Sequence, residues 1–298
     1  MPNHFGKKFE KKSRLDMKVS MSSLLQEASA NQFAIPAMNF IDFTTAKAYA
    51  KVSQKRGLPL IMAFAQTHQS WLSLEDAATI GRYFQSQTAT PIVLHLDHGQ
   101  DFEFIKKAID LGFHSVMIDA SLHPFEENVR LTSQVVSYAH ARGVDVEAEI
   151  GFVGANENLE NHELVDSIYT TLDDAKAFYE ATQVDSLAVS IGTAHGIYKG
   201  HPKLNFDRLA ELSKELPIPL VLHGGSSSGD ANLKRCAKEG IAKINIFSDV
   251  IQAAHTFNQT NKTQDYPSLV QGMQGAMEQV LNHYYDVFET KEVVVHES

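Results

Sequence analysis

The side chains that could do acid–base or metal chemistry in this chain are grouped at the ends of apolar runs. Asp97 and His98 follow one such run, Asp119 follows the next, and Glu149 lies at the end of a third. Imidazole nitrogens and carboxylate oxygens bind divalent metals and also transfer protons. The full set of polar residues at such positions is Asp97, His98, Asp119, Glu149, His195, His223, Asn245 and Ser248.

Three histidines, His98, His195 and His223, have the number expected of a catalytic zinc site. Such sites often use three protein ligands and leave one position open for the substrate. Each of the three directly follows a predicted strand, and glycine lies next to His195 and His223. Glycine lets backbone N–H groups approach a bound ligand closely. Other histidines of the chain, His68 among them, are predicted to lie in the core or on the surface.

Short apolar, β-branched runs alternate with longer segments of helical period. This alternation predicts parallel strands, because a parallel crossover needs a dozen or more residues. The predicted strands are Ala34–Phe40, Pro59–Ala65, Pro91–Asp97, Ser115–Asp119, Val144–Ile150, Ser186–Ile191, Pro219–His223 and Lys243–Phe247. The predicted helices include Thr44–Lys55, Leu74–Gln85, Phe102–Leu111, Phe125–Arg142, Leu172–Thr182 and Phe206–Leu216, with Ser268–Phe288 as a closing helix.

Eight repeats of strand and helix close a barrel more naturally than they fill an open sheet. The predicted fold is α/β, a single (β/α)8 TIM barrel over residues 19–298, preceded by a basic N-terminal extension over residues 1–18. The polar segment Val153–Ser167 is predicted to be a mobile loop over the mouth. In such a barrel the carboxyl ends of all strands open on one face, so the candidate residues would converge there.

Composition excludes several classes of function. A net charge of −10 argues against nucleic acid as the main partner. No run of about 18 apolar residues is present, so no membrane span is predicted. The single cysteine, Cys236, excludes an internal disulfide and suits a reducing compartment, so we predict a cytoplasmic location.

Four segments at the ends of predicted strands form a recognisable series. They read LHLDHG at 94–99, EAEIG at 147–151, GTAHGIY at 192–198 and LHGGS at 222–226. In this order and spacing they closely resemble the class II ketose-bisphosphate aldolases, a family that includes fructose-bisphosphate and tagatose-bisphosphate enzymes. The resemblance runs from about residue 21 to residue 249 and is more specific to the superfamily than to a substrate.

The resemblance implies a lyase with a catalytic Zn²⁺ held by His98, His195 and His223. It also implies a second divalent position at Asp119 and Glu149, and a place for a monovalent cation, Na⁺ or K⁺. Aldol cleavage of a β-hydroxy ketone leaves an enediolate, whose negative charge a Lewis-acidic metal stabilises. The expected substrate is a phosphorylated sugar, and the expected assembly is a homodimer or homotetramer.

The same resemblance assigns the proton transfers. Asp97 matches the residue that protonates the aldehyde oxygen during condensation, and Glu157 matches the loop glutamate that moves the proton on the ketone donor. Loop closure over the donor would exclude water. The positions that match substrate and donor-phosphate contacts are Asn39, Gly196, Gly224, Ser226, Asn245 and Ser248.

Four positions depart from the bisphosphate enzymes. Ala65 stands where a serine is common, Ser227 replaces a glycine, Gln274 replaces an arginine, and Phe247 replaces a small or acidic residue. Losing an arginine matters, because a guanidinium binds phosphate in a bidentate way that an amide does not reproduce. These departures leave open which aldehyde is the acceptor and whether its end carries a phosphate.

The leading hypothesis is therefore aldol cleavage of a fructose- or tagatose-bisphosphate-like ketose to dihydroxyacetone phosphate and an aldehyde. A second hypothesis keeps the chemistry on a ketose monophosphate or another acidic sugar. A third is a non-catalytic metal-binding barrel with a regulatory role. An inactive homologue, however, would not need to retain all of the candidate catalytic and metal-binding residues. A metal-dependent hydrolase is disfavoured, because His95 and His98 do not form the H-x-H pair it normally uses.

Overall fold

Eight parallel strands close a barrel in the computed structural model, which describes residues 20–151, 169–193 and 202–293. Strand β1 pairs with both β2 and β8, so Ala37 lies opposite Ile61 on one side and Asn245 on the other. The predicted (β/α)8 barrel is thereby confirmed. The strands are β1 Ile35–Asn39, β2 Leu60–Ala65, β3 Ile92–Gly99, β4 Ser115–Ile118, β5 Asp145–Ile150, β6 Ser186–Val189, β7 Leu220–Leu222 and β8 Ile241–Ile246.

Helices follow the strands around the outside. Those described are α1 Met21–Ala30, α2 Phe43–Arg56, α3 Leu74–Gln87, α4 Phe102–Asp110, α5 Phe125–His140, α6 Leu172–Thr182, α7 Phe206–Glu215, α8 Asp230–Lys238, α9 Ser248–Thr260 and α10 Tyr266–Val287. Side-chain caps such as Asp42 before α2 and Ser73 before α3 satisfy N–H groups that the first turn leaves unpaired.

The predicted elements are present, with small differences at their ends. Pro59, Pro91 and Pro219 each stand one residue before the strand they were predicted to begin, as expected for a residue that has no N–H to donate to a ladder. Three helices, α1, α8 and α9, were not predicted. Helix α9 buries a single residue, Val250, so its apolar period is too weak to read.

Helix α1 covers the amino-terminal end of the barrel. Its Met21, Leu24 and Leu25 are buried and pack against inward-facing strand residues such as Ile35 and Val93. Burying a side chain of this size stabilises a fold by about 1.5–3 kcal/mol. The interior of the barrel at the amino-terminal ends of its strands is therefore apolar and tightly packed, and this packing holds the strands in place on the side opposite the site.

The barrel interior toward the carboxyl ends of the strands is polar. Alternate residues of a strand point to opposite faces, and three strands each place two polar residues inside, two positions apart. These pairs are His95 and Asp97 on β3, Glu147 and Glu149 on β5, and Lys243 and Asn245 on β8. Their apolar neighbours, such as Leu96 and Ala148, pack outward in the main core.

The predicted N-terminal extension over residues 1–18 and the predicted loop Val153–Ser167 lie outside the described residues. Within the described part of the chain, none of the helices has the length and apolarity needed to cross a membrane.

Candidate active site and metal centre

An irregularity in β3 aims two candidate side chains at the mouth. The pairing of β3 with β4 shifts between Leu96 and Gly99, and His98 has a φ of +46°. Positive φ is uncommon outside glycine, and a bulge of this kind redirects side chains. Gly99 permits the close strand contact, since a Cβ there would lie 2.5 Å from the Met117 carbonyl oxygen. Asp97 and His98 consequently both face the site rather than opposite faces of the strand.

His98 and His223 face one another across the mouth. His98 Nε2 lies 2.9 Å from His223 Nδ1, and each ring is bonded to a carboxylate on its far side. His98 Nδ1 donates to Asp119 Oδ2 at 2.8 Å, and His223 Nε2 donates to Glu147 Oε1 at 2.9 Å. When both rings are neutral, these two bonds leave a lone pair on each facing nitrogen.

Two lone pairs at that separation repel unless a cation lies between or beside them. Without a metal that cation is a proton on His98: burial opposes the charge, but Asp97 and the hydrogen bond to Asp119 outweigh it and raise the pKa of His98 to about 9. Burial and the neighbouring His98 charge lower the pKa of His223. Nitrogen lone pairs backed by carboxylates are also the arrangement in which histidines bind Zn²⁺. The pair therefore fits a metal ion.

The residues predicted for a second metal position lie close together. Ligand atoms of His98, Asp119 and Glu149 lie within 4.8 Å of one another, as do those of Asp97, His98 and His223. Burial, and then the Asp119 charge, raise the pKa of Glu149 to about 8, and its Oε2 has no hydrogen-bond partner. A buried carboxylate oxygen of this kind is destabilising unless a cation or donor joins it.

Asp97 is held between two amides. Asn39 Nδ2 donates to one of its oxygens at 2.7 Å, and Asn245 Nδ2 donates to the other at 2.9 Å. Burial alone would raise the pKa of Asp97, but the charges of His98 and His223 dominate and hold it far below its usual range. Asp97 is thus a fixed carboxylate beside the facing histidines.

Sequence reasoning missed a buried charge network directly beneath the site. Lys243 Nζ donates to both oxygens of Glu147, at 2.8 and 2.9 Å, with both side chains fully buried. Lys243 also lies 3.4 Å from His95 Nε2, and His95 Nδ1 bonds to Ser115 at 2.9 Å. This network holds Glu147 against His223. The period-two pairing of polar residues within β3, β5 and β8 was the signal that could have revealed it.

The predicted phosphate side lies in the turns after β7 and β8. Gly224 has a φ of +67°, and Ser226 Oγ accepts the backbone N–H of Phe247 at 3.1 Å. Ser248 is the first residue of α9. The bond from Phe247 to Ser226 places the turn after β7 beside the start of α9, and helix N-termini can bind anions.

Ser227 explains how the chain tolerates the loss of a glycine. Its φ is +59°, the region that glycine adopts without strain. Its N–H and Oγ both bond to Asp249, at 2.9 and 2.8 Å, and Asp249 also accepts the Tyr284 hydroxyl. The serine therefore keeps the turn that a glycine would form.

The other departures lie at definite places. Ala65 is the register partner of Asp97, so the missing serine hydroxyl would have been beside the site. Gln274 is buried and donates to Glu278 at 2.7 Å. Phe247 directly follows β8 and contacts His68. His195, Gly196 and Glu157 fall outside the described residues.

Fold and site together define a class: a barrel enzyme whose strand ends present histidines and carboxylates suited to a divalent metal. The sequence profile of class II fructose-bisphosphate aldolases matches residues 19–292. The chain belongs to this family, and it is a metal-dependent aldehyde-lyase that cleaves a phosphorylated ketose.

Solved structures agree with this assignment. The YdjI aldolase from Escherichia coli K12 is 31% identical, with a TM-score of 0.84, over 92% of this chain and 98% of that one. A protein assigned as a fructose-1,6-biphosphate aldolase from Coccidioides immitis is 27% identical, with a TM-score of 0.76, over 93% and 98% of the two chains. The fructose-bisphosphate aldolase (Fba) from Campylobacter jejuni shares the fold at 22% identity, with a TM-score of 0.75, over 92% and 96%.

Proposed function

We propose that this aldolase releases dihydroxyacetone phosphate from a fructose- or tagatose-bisphosphate-like ketose, using Zn²⁺ held by His98, His195 and His223. The observation that carries the proposal is the facing pair His98 Nε2 and His223 Nδ1, 2.9 Å apart, beside the ionised Asp97. His195 would complete the three-histidine set, as the family resemblance implies. Asp119 and Glu149 would hold a second divalent ion.

The metal, when bound, supplies a Lewis acid that withdraws charge from the ketone oxygen. Asp97 accepts the proton of the substrate hydroxyl during cleavage and returns it during condensation. The lowered pKa keeps Asp97 ionised, the state that can accept a proton, and Asn39 and Asn245 bond its two oxygens. In the proposal, Glu157 returns a proton to the donor carbon after the carbon–carbon bond breaks.

The donor phosphate would bind in the turns after β7 and β8. Gly196, Gly224, Ser226 and Ser248 would surround it with N–H and hydroxyl donors, and Na⁺ or K⁺ would bind beside it. Backbone N–H groups bind phosphate without a lysine. Oligomerisation as a homodimer or homotetramer and a cytoplasmic location remain predictions.

A second candidate substrate is a ketose monophosphate or another acidic sugar. It is favoured by Gln274, which is committed to Glu278 rather than offering a guanidinium, and by Ala65, which has no hydroxyl opposite Asp97. Both changes remove potential contacts to a second phosphate and leave the metal and Asp97 in place.

One experiment tests both candidates. Metal-replete protein is incubated with a panel of ketose bisphosphates and monophosphates, and released dihydroxyacetone phosphate is coupled to NADH oxidation. EDTA-sensitive release from fructose or tagatose bisphosphate supports the first substrate. Release from monophosphates alone supports the second, and no release from any of them contradicts both the bisphosphate and the monophosphate substrates.

A further inference from the structure

Three aromatic rings lie together at the mouth of the barrel. His68 belongs to a short 3-10 turn, Gln66–Ser70, that follows β2; Trp71 comes directly after it, and Phe247 directly follows β8. The His68 ring centroid lies 4.6 Å from that of Phe247 and 5.0 Å from that of Trp71. The indole and phenyl rings are near-parallel, with 26° between their planes. We refer to His68, Trp71 and Phe247 as the aromatic wall.

The wall presents apolar surface outward. Trp71 is 60% exposed and Phe247 is partly exposed. Aromatic rings of this size contribute most to binding or stability when they are buried. Ligand pockets combine such rings with a few well-placed polar groups. The outward faces of Trp71 and Phe247 are therefore suited to cover a ligand that enters the mouth.

The wall lies beside Asp97. Strands β2 and β8 flank β1, whose Asn39 bonds Asp97, and Ala65 at the end of β2 is the register partner of Asp97. His68 stands three residues further on, which in a 3-10 turn is a rise of about 6 Å. Asp97 and His98 both act electrostatically on the His68 ring. The wall therefore lies near the Asp97 carboxylate, just after the carboxyl ends of β2 and β8.

His68 also has an unmet hydrogen-bonding group. Its Nδ1 is buried and has no partner among the residues that the structure describes. An unpaired buried nitrogen destabilises a folded chain, so its retention needs a reason. A ligand hydroxyl would supply the missing partner.

We propose that the aromatic wall recognises the acceptor end of the substrate, a polyhydroxylated aldehyde of three or more carbons. The aldehyde's C–H face would lie against Trp71 and Phe247, and one of its hydroxyls would bond His68 Nδ1 as the exposed indole moves aside. The aldehyde carbon itself reacts near Asp97, so only the carbons beyond it reach the wall. The inference rests on the proposed function, because Asp97 marks the acceptor side only if it handles the aldehyde oxygen.

The test compares two reactions of the metal-replete full-length protein. Hydrogen exchange at the reacting carbon of dihydroxyacetone phosphate needs no acceptor, whereas condensation does. Acceptors are glycolaldehyde, which is too short to reach the wall, and a set of aldotetroses and aldopentoses. For Trp71→Ala and Phe247→Leu we expect kcat/KM for the longer aldehydes to fall about tenfold. The value for glycolaldehyde should change less than about twofold.

Tyr266→Ala is the matched control, since Tyr266 is 76% exposed at the start of α10; it should leave both reactions unchanged. Equal losses for short and long acceptors, or no loss for either, would overturn the role of the wall. If the wild-type protein catalyses no exchange, the proposed function fails and the wall proposal fails with it. These two failures are therefore distinguishable.

His68→Phe separates recognition from packing. The substitution keeps a ring between Trp71 and Phe247 but removes the unpaired nitrogen. We expect the melting temperature to rise, because a buried polar atom is lost. We also expect kcat/KM for the longer aldehydes to fall about fivefold. A residue with only a packing role would not lose acceptor kinetics while gaining stability, so unchanged kinetics would contradict the proposal.

Discussion

His98 and His223 point their facing ring nitrogens at each other across 2.9 Å, and each ring is bonded on its far side to a carboxylate. Asp119 holds His98, and Glu147 holds His223. These bonds select the tautomers in which each facing nitrogen carries the lone pair that a metal would bind. The two carboxylates therefore orient the histidines that would bind the metal.

Glu147 should control metal affinity through His223. Glu147→Gln removes the charge behind His223 and should weaken binding of Zn²⁺ by about 10–100-fold. Competition with a chromophoric chelator measures the affinity. Glu215→Gln, which breaks the exposed ion pair with Lys176, is the control and should bind Zn²⁺ as tightly as the wild-type protein. Equal affinity in both variants would show that Glu147 does not tune the site.

Lys243 should stabilise the folded protein by pairing with the buried charge of Glu147. Lys243→Met leaves the Glu147 charge buried without its main partner and should lower the free energy of unfolding by about 3–5 kcal/mol. Urea unfolding of the metal-free protein measures this change. The double variant Glu147→Gln/Lys243→Met should recover part of the loss, because it removes both charges. If the double variant lost as much free energy of unfolding as the two single variants lose together, the two side chains would not be directly coupled.

Ser227 should depend on Asp249 for its backbone conformation. Ser227→Ala keeps a β-carbon at positive φ but loses the hydroxyl bond, and it should lower the free energy of unfolding by about 1–2 kcal/mol. Ser227→Gly loses the same bond but relieves the strain, so its cost should be about 1 kcal/mol smaller. Urea unfolding ranks the two variants. A glycine variant less stable than the alanine variant would contradict the explanation.

Cys236 should be unreactive in the folded protein. Burial in α8, aided by Glu239, raises the pKa of its thiol to about 12, and only the thiolate is the nucleophile. Because the pKa is raised in the folded protein, the thiolate fraction of Cys236 is small at neutral pH. This thiol ionises only at a higher pH than an exposed thiol does. Alkylation by iodoacetamide, followed by mass spectrometry between pH 7 and 10, should be slow until urea unfolds the chain. Rapid alkylation without urea would contradict this.

Much of the fold could be predicted because its signal is repeated. Eight apolar runs separated by helical segments indicate a parallel barrel, and the carboxyl ends of the strands then place Asp97, His98 and His223 on one face. Such long-range convergence follows from topology alone. Helix α9 escaped prediction because it buries only Val250, which shows no helical period. Helix α8 buries Leu233, Cys236 and Ala237 at helical spacing, so its signal was present and was missed.

The finer features of the site could not be predicted because they arise from tertiary contacts. The shift in β3 that turns His98 toward the mouth depends on pairing with β4. The bond from Lys243 to Glu147 joins strands far apart in the sequence, and reading the strands as uniformly apolar hid their inward polar pairs. The sequence shows that Ser227 replaces a glycine, but not that Asp249 lets the serine keep the turn of a glycine.

The most direct test of the central claim is Zn²⁺ content together with dihydroxyacetone phosphate release in the wild-type protein, His98→Ala and His255→Ala. His255 is exposed on α9 and serves as the control. After EDTA treatment and reloading, wild-type protein and His255→Ala should bind Zn²⁺ tightly and release product. His98→Ala should lose the tight metal and the activity together. Full metal content and full activity in His98→Ala would contradict the account.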